Sequence, residues 1–171
     1  AEAPSWSYDG YRDGQDNWGI LSPEYATCEG GTMQSPVVIA YTTSAELPPL
    51  VFDYRNGAAA IRYKDYTIDM EMEKGSWVDI GGVRYLLQRI QFHSPSEHMV
   101  REKFYPLEIH LTHQGPDGKR LNLALFAETG KENPAIAAIT GHLPEKNGTA
   151  KKITLNPGAL LPSSFARYAY Q

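Results

Sequence analysis

Between Val37 and Ala127 the chain is cut into short stretches, separated again and again by Gly, Pro, Asn or Asp. Isolated short segments make poor helices, because helix nucleation needs a longer run to recover its cost. They suit strands. The stretch Tyr66–Glu73 carries the signature plainly, with Ile68, Met70 and Met72 on one side and Thr67, Asp69 and Glu71 on the other. That period of two gives a strand one apolar and one polar face. Val37–Tyr41, Ala59–Tyr63, Val83–His93, Leu107–His113 and Asn122–Ala127 are read as further strands. Composition agrees: 15 Gly and 12 Pro are too many for a helical protein, since each interior Pro costs a helix about 3 kcal/mol. One helix is expected at Asn133–Ile139, with Asn133 as its cap and Pro134 in its first turn.

The segment Ser5–Ser35 is rich in turn pairs (Asp9-Gly10, Asp13-Gly14, Ser22-Pro23, Gly30-Gly31) and holds Trp6, Tyr8 and Trp18. It reads as an ordered arm pinned by those aromatic rings. No repeat or linker interrupts the chain, so residues 1–171 are expected to form a single, mostly β domain. The 16 basic against 20 acidic residues give a net charge of −4, without the basic stripe of a nucleic-acid binder. No apolar run reaches the roughly 18 residues that span a bilayer as a helix. Ala1-Glu2-Ala3-Pro4 has neither the basic nor the apolar stretch of a signal peptide. Asn147-Gly148-Thr149 fits a glycosylation acceptor and, more simply, a turn.

Four of the five histidines, His93, His98, His110 and His113, fall within 21 residues of one another. On strands, Gln91 and His93 share a face, and so do Glu108, His110 and Thr112. Pairing the two strands brings His93 and His110 toward one cavity, the beginning of a zinc site. Glu108 is placed to accept a ring N–H and orient a ligand imidazole. The third ligand is missing from the pattern. His98 lies at an odd offset beyond Ser94-Pro95, His113 points away from His110, and Gln91 offers only a neutral amide. The pattern alone leaves metal binding and structural histidines both open.

Gln91-Phe92-His93-Ser94-Pro95-Ser96-Glu97-His98, followed by Tyr105-Pro106-Leu107-Glu108-Ile109-His110-Leu111-Thr112-His113, resembles the active-site strands of the α-class carbonic anhydrases. Trp6-Ser7-Tyr8, Gln34-Ser35-Pro36-Val37, Asn156-Pro157, Leu160-Leu161-Pro162 and Tyr168-Ala169-Tyr170 extend the resemblance over nearly the whole chain. It implies a large twisted, mainly antiparallel central sheet with short surface helices. It also implies a family that hydrates CO2 on a zinc ion held by three histidines, which lowers the pKa of the bound water to ≈ 7. Mapped by motif, His93 and His110 fall on two of the zinc ligands and Glu108 on the carboxylate behind them. Glu97 falls on the Glu that supports a hydroxide-orienting threonine, and Tyr8 on a tyrosine of the pocket's water network.

The same mapping exposes departures. The first zinc histidine falls on Gln91, and the proton-shuttling histidine falls on Tyr66, whose pKa near 10 does not serve proton transfer at neutral pH. Thr112 and Asn122 stand where the family has valine in its CO2 pocket. Gln171 precedes the family's Ser-Leu-Thr-Thr-Pro-Pro-Cys loop, so the domain is expected to be incomplete at its C-terminus. The expectation is a carbonic anhydrase-related protein whose zinc site is weak or empty. It would act as a structural or binding subunit of a larger assembly, with a partner covering the incomplete sheet. The alternative is an active zinc enzyme that converts CO2 and water to bicarbonate and a proton. Cys28, the single cysteine, falls where secreted members form a disulfide, which implies the periplasm, the extracellular space or the thylakoid lumen.

Overall fold

The structure is a computed structural model and describes residues 6–8, 10–64 and 66–170. Ala1–Ser5, Asp9, Asp65 and Gln171, on which parts of the sequence reading fell, lie outside the described residues. The chain divides into two compact units: residues 1–37 with 169–171, and residues 38–168.

In the first unit, Trp6, Tyr8 and Trp18 meet edge to face with ring centroids 5.2–5.8 Å apart, the arrangement that aromatic quadrupoles favour. The Trp18 indole N–H donates to the carbonyls of Ser7 and Asp13. Two short helices, α1 (Trp18–Leu21) and α2 (Ala26–Gly30), lie where the sequence reads only as turns. At four and five residues they are too short to show a 3.6-residue period. Gln34 closes the second of them, its side-chain amide donating to the carbonyls of Thr27 and Gly31.

The second unit holds ten strands among the described residues: β1 (Val38–Ile39), β2 (Leu50–Asp53), β3 (Gly57–Lys64), β4 (Thr67–Met72), β5 (Trp77–Ile80), β6 (Val83–His93), β7 (Met99–Val100), β8 (Leu107–Gln114), β9 (Arg120–Ala127) and β10 (Lys151–Leu155). β1 and β7 form a small parallel ladder. The other eight make one antiparallel sheet. β6 is its spine: β8 runs along one side, while β4 and β5 share the other, with β3, β10, β9 and β2 further out. The mostly β architecture with a large antiparallel sheet and few short helices is the one expected from the sequence. β2, β5 and β10 were not read there, because four or five residues hold too few alternations to register.

Register explains the two faces. Ile61, Met70, Ile90, Leu111 and Leu123 stand side by side across five strands, and the first four are fully buried. One residue along, Arg62, Asp69, Gln91, His110 and Ala124 form the neighbouring row, which points to the opposite face because successive side chains alternate. The apolar face is closed by helix α3 (Pro134–Thr140) through Ala135 and Ile139, and by the 3-10 turn Pro157–Leu160. Asn133 caps α3 by accepting from the N–H groups of Ala135 and Ile136. A bulge at Gln88 shifts the register between Leu87 and Arg89. The extra residue keeps both Leu87 and Ile90 in the core although they are three apart. Asn147 adopts φ +59 in the turn before β10, a conformation that Asn tolerates better than most residues.

His113 belongs to the apolar side. It is fully buried, stacks on Tyr54 and shares a 2.6 Å hydrogen bond with the tyrosine hydroxyl through Nε2. Burial pushes its pKa down to about 4, against the opposing pull of nearby backbone carbonyls. The imidazole is therefore a neutral core group.

Two outcomes follow. Ile90→Ala removes a buried side chain at the centre of five strands and costs about 2–5 kcal/mol, read as a lower urea midpoint with an unchanged slope. Between pH 7 and pH 5 the unfolded chain protonates His113 near its ordinary 6.5 while the folded protein does not. Stability falls by roughly 2 kcal/mol over that interval, and His113→Gln removes that part of the slope in urea titrations at the two pH values.

Candidate functional site

The polar face of β6 and β8 carries the candidate site. Gln91 faces His110 and His93 faces Glu108 across the ladder. His93 and His110 sit diagonally, with ring centroids 4.7 Å apart. The loop after β6 then turns back over them. Ser96 anchors it: its N–H donates to the Tyr105 carbonyl, its Oγ donates to the His98 carbonyl, and the Tyr105 N–H donates to its Oγ. That turn presents Glu97 and His98 to β8.

Glu108 is the hub and is completely buried. Its Oε1 accepts from His98 Nδ1 at 2.5 Å and from His110 Nε2 at 2.7 Å. Its Oε2 accepts from the N–H groups of Glu97 and His98 at 2.8 and 2.9 Å. Burial by itself would raise the carboxyl pKa. The His110 and His98 hydrogen bonds outweigh it and hold Glu108 well below the usual carboxylate range. A carboxylate only accepts, so His110 carries its proton on Nε2, and in the neutral ring the lone pair lies on Nδ1.

That Nδ1 faces Glu97, 3.7 Å from Oε2, while Glu97 Oε1 lies 3.5 Å from His93 Nδ1. His93 is 8% exposed, and its Nε2 has no hydrogen-bond partner among the described residues. Burial lowers the His93 pKa, and the neighbouring His110 adds to the effect while Glu97 opposes it. One ligand atom from each of His93, Glu97 and His110 can be drawn so that all lie within 4.8 Å of one another. Two imidazoles and a carboxylate at that spacing suit a divalent metal. Gln91, in register with His110 on the same face, adds a carboxamide beside them.

Thr112 donates a hydrogen bond to Asn122 on β9 at 3.2 Å. Tyr66 is half-exposed at the start of the β3–β4 hairpin's second arm, with the Lys146 ammonium 5.3 Å from its ring centroid. Tyr8 lies in the first unit, against Trp6 and Trp18. His142 follows α3 and donates from Nδ1 to the Ala138 carbonyl. Sequence reasoning set His98 aside because its offset from His93 is odd. The loop turn cancels that parity and delivers it to Glu108, and no periodic signal could have shown this. Asp69 and Arg89 were missed as neighbours of Gln91. They form a 3.2 Å ion pair beside it, and burial lifts the Asp69 carboxyl above its ordinary value against the pull of Arg89 and Arg62.

Glu108→Ala leaves four buried donors without an acceptor. It is expected to cost about 3–5 kcal/mol, measured by urea denaturation, with Glu108→Gln costing less because one carbonyl acceptor survives.

A family model for eukaryotic-type carbonic anhydrases matches residues 13–171. A carbonic anhydrase of Klebsiella pneumoniae is 35% identical over 164 residues, which cover 94% of this chain and 66% of that protein. A carbonic anhydrase of Neisseria gonorrhoeae is 32% identical over 170 residues, again 66% of its length. The chain thus spans just under two thirds of the length of these relatives. Among solved structures, the α-carbonic anhydrase of Thermovibrio ammonificans in complex with sulfanilamide superposes with a TM-score of 0.86 at 35% identity, covering 94% of this chain and 72% of the other. A dioscorin complexed with ascorbate gives 0.78 at 28% identity, covering 91% of this chain and 69% of the other. With the strand register, the buried Glu108 hub and these matches together, the chain belongs to the eukaryotic-type, or α, carbonic anhydrase family.

Proposed function

We propose that the protein is a carbonic anhydrase-like structural or binding subunit without CO2 hydratase activity. One observation carries this reading: Gln91 is the residue in register with His110 on the face that also holds His93. There, on the family resemblance, the first zinc-binding imidazole belongs. In the family, zinc on three neutral imidazoles supplies hydroxide at neutral pH. A carboxamide is a weak donor beside imidazole, so His93 and His110 hold zinc weakly and the hydroxide-forming geometry is not built. Tyr66 in place of the shuttling histidine, and the Thr112–Asn122 hydrogen bond in place of an apolar CO2 wall, support the same conclusion.

Residues 1–171 are taken as one domain, consistent with a family match that runs unbroken over residues 13–171. The reading places the protein in an exported compartment, on the strength of the Cys28 position. A protein partner is supported by the outer side of β9, which pairs with no strand among the described residues. No helix among them is long and apolar enough to cross a membrane, and the net charge of −4 argues against nucleic acid. The dioscorin match supports a binding role, since that relative's structure holds ascorbate.

Metal analysis and a CO2-hydration assay on the intact protein test the proposal. Substoichiometric zinc and background turnover are expected. Stoichiometric zinc with sulfonamide-sensitive turnover overturns it in favour of the active enzyme. Gln91→His completes the imidazole set and is expected to raise zinc affinity by at least ~10-fold, read by competition with a chromophoric chelator. Gel filtration checks the partner: a well-behaved monomer counts against an obligate one.

A further inference from the structure

Residues 145–149 lie in the link between α3 and β10. They hold Asn147-Gly148-Thr149, the one Asn-x-Ser/Thr triplet in the 171 residues, with Glu145 two positions before the asparagine. A turn needs only part of that pattern. Asn147 takes up φ +59 and donates its backbone N–H to the Tyr63 carbonyl at 2.7 Å, while the Gly148 N–H donates to the Glu145 carbonyl at 2.8 Å. Left-handed backbone and a tight turn account for Asn147 and Gly148. They give no reason for a hydroxyl at 149 or a carboxylate at 145, since Glu145 enters the turn through its main chain.

All five residues are exposed. The link is nevertheless tied down on both sides. Asn147 is held to β3 through Tyr63, and the ammonium of Lys151, the first residue of β10, donates to the Leu143 carbonyl at 2.9 Å. β10 pairs with β3 on one side and with no strand among the described residues on the other. A bulky hydrated group on this link is therefore accommodated without moving the core, and it obstructs edge-to-edge pairing of β10 with another chain.

We propose that Asn147 is an acceptor site for an N-linked glycan, recognised through Glu145 and Thr149 by an oligosaccharyltransferase. The donor is an oligosaccharide linked to a lipid diphosphate. The anomeric C–O bond to the diphosphate breaks, a bond forms from that carbon to Asn147 Nδ2, the lipid diphosphate leaves, and the amide nitrogen gives up one proton. Thr149 supplies the hydroxyl of the acceptor triplet. The Glu145 carboxylate completes the longer acceptor pattern read by bacterial transferases, which act on exposed turns of folded proteins. The inference goes beyond the proposed subunit role, and it draws on the exported compartment only for where the reaction takes place.

The test incubates the purified, folded protein with a bacterial oligosaccharyltransferase and its lipid-linked oligosaccharide, followed by intact mass and by sequencing of the modified peptide. One glycan, on Asn147, is expected. Asn147→Gln and Thr149→Ala should each abolish the modification, and Glu145→Gln should lose most of it. Thr149→Ala and Glu145→Gln leave the main-chain bonds of the turn in place, so their loss of glycan is not a failure to fold. An unmodified wild-type protein, or a glycan that persists in Asn147→Gln, overturns the proposal. Fractionation of the source cells tests the compartment separately: a protein confined to the cytosol overturns the exported reading while the measured modification of Asn147 stands.

Discussion

The Glu108 carboxylate holds the functional half of the molecule together. It is fully buried and accepts four hydrogen bonds, two from imidazole rings and two from the backbone of the loop after β6. A buried charge is costly unless every lone pair is used. Here satisfying it forces three things at once: the tautomer of His110, the ring orientation of His98 and the path of residues 97–98. The position of Glu97 is therefore a consequence of Glu108, not an independent feature.

The sheet supplies the frame on which that hub rests. The row Ile61, Met70, Ile90, Leu111 and Leu123 fills the core, and the next row, Arg62, Asp69, Gln91, His110 and Ala124, lies on the reverse. A slip of one residue in any ladder would move the imidazoles into the core and the apolar side chains out of it. The apolar row thus fixes the register of the site, and the site needs no separate device to hold it. The bulge at Gln88 is the one place where the alternation is interrupted. It lets the long strand β6 keep Leu87 and Ile90 on the same side while still delivering Gln91 and His93 to the other.

Membership in the α-carbonic anhydrase family and the chemistry of this chain's own pocket are separate matters, because a fold persists through its core while a reaction depends on a few side chains. The apolar rows and the Glu108 hub are intact. The surroundings of Gln91 are polar and charged, with the Asp69–Arg89 ion pair and the Thr112–Asn122 hydrogen bond along the same face.

Period-two alternation in the sequence settled the long strands, the face shared by Gln91 and His93, and the face shared by Glu108, His110 and Thr112, because a strand's pleat translates spacing directly into direction. The cap of α3 was legible for a similar reason, since Asn133-Pro134 acts within one turn. The motifs identified the family, and no spacing rule could have done that alone. What the sequence could not yield was every contact routed through a loop or across the ladder. His98 reaching Glu108, Glu97 lying against both imidazoles, and the short strands β2, β5 and β10 all depend on turns and registers that carry no period. Alternation is a local property of the backbone. The meeting of residues 97 and 110, thirteen positions apart, was decided only when β6 and β8 paired and a buried carboxylate drew the intervening loop back to satisfy it.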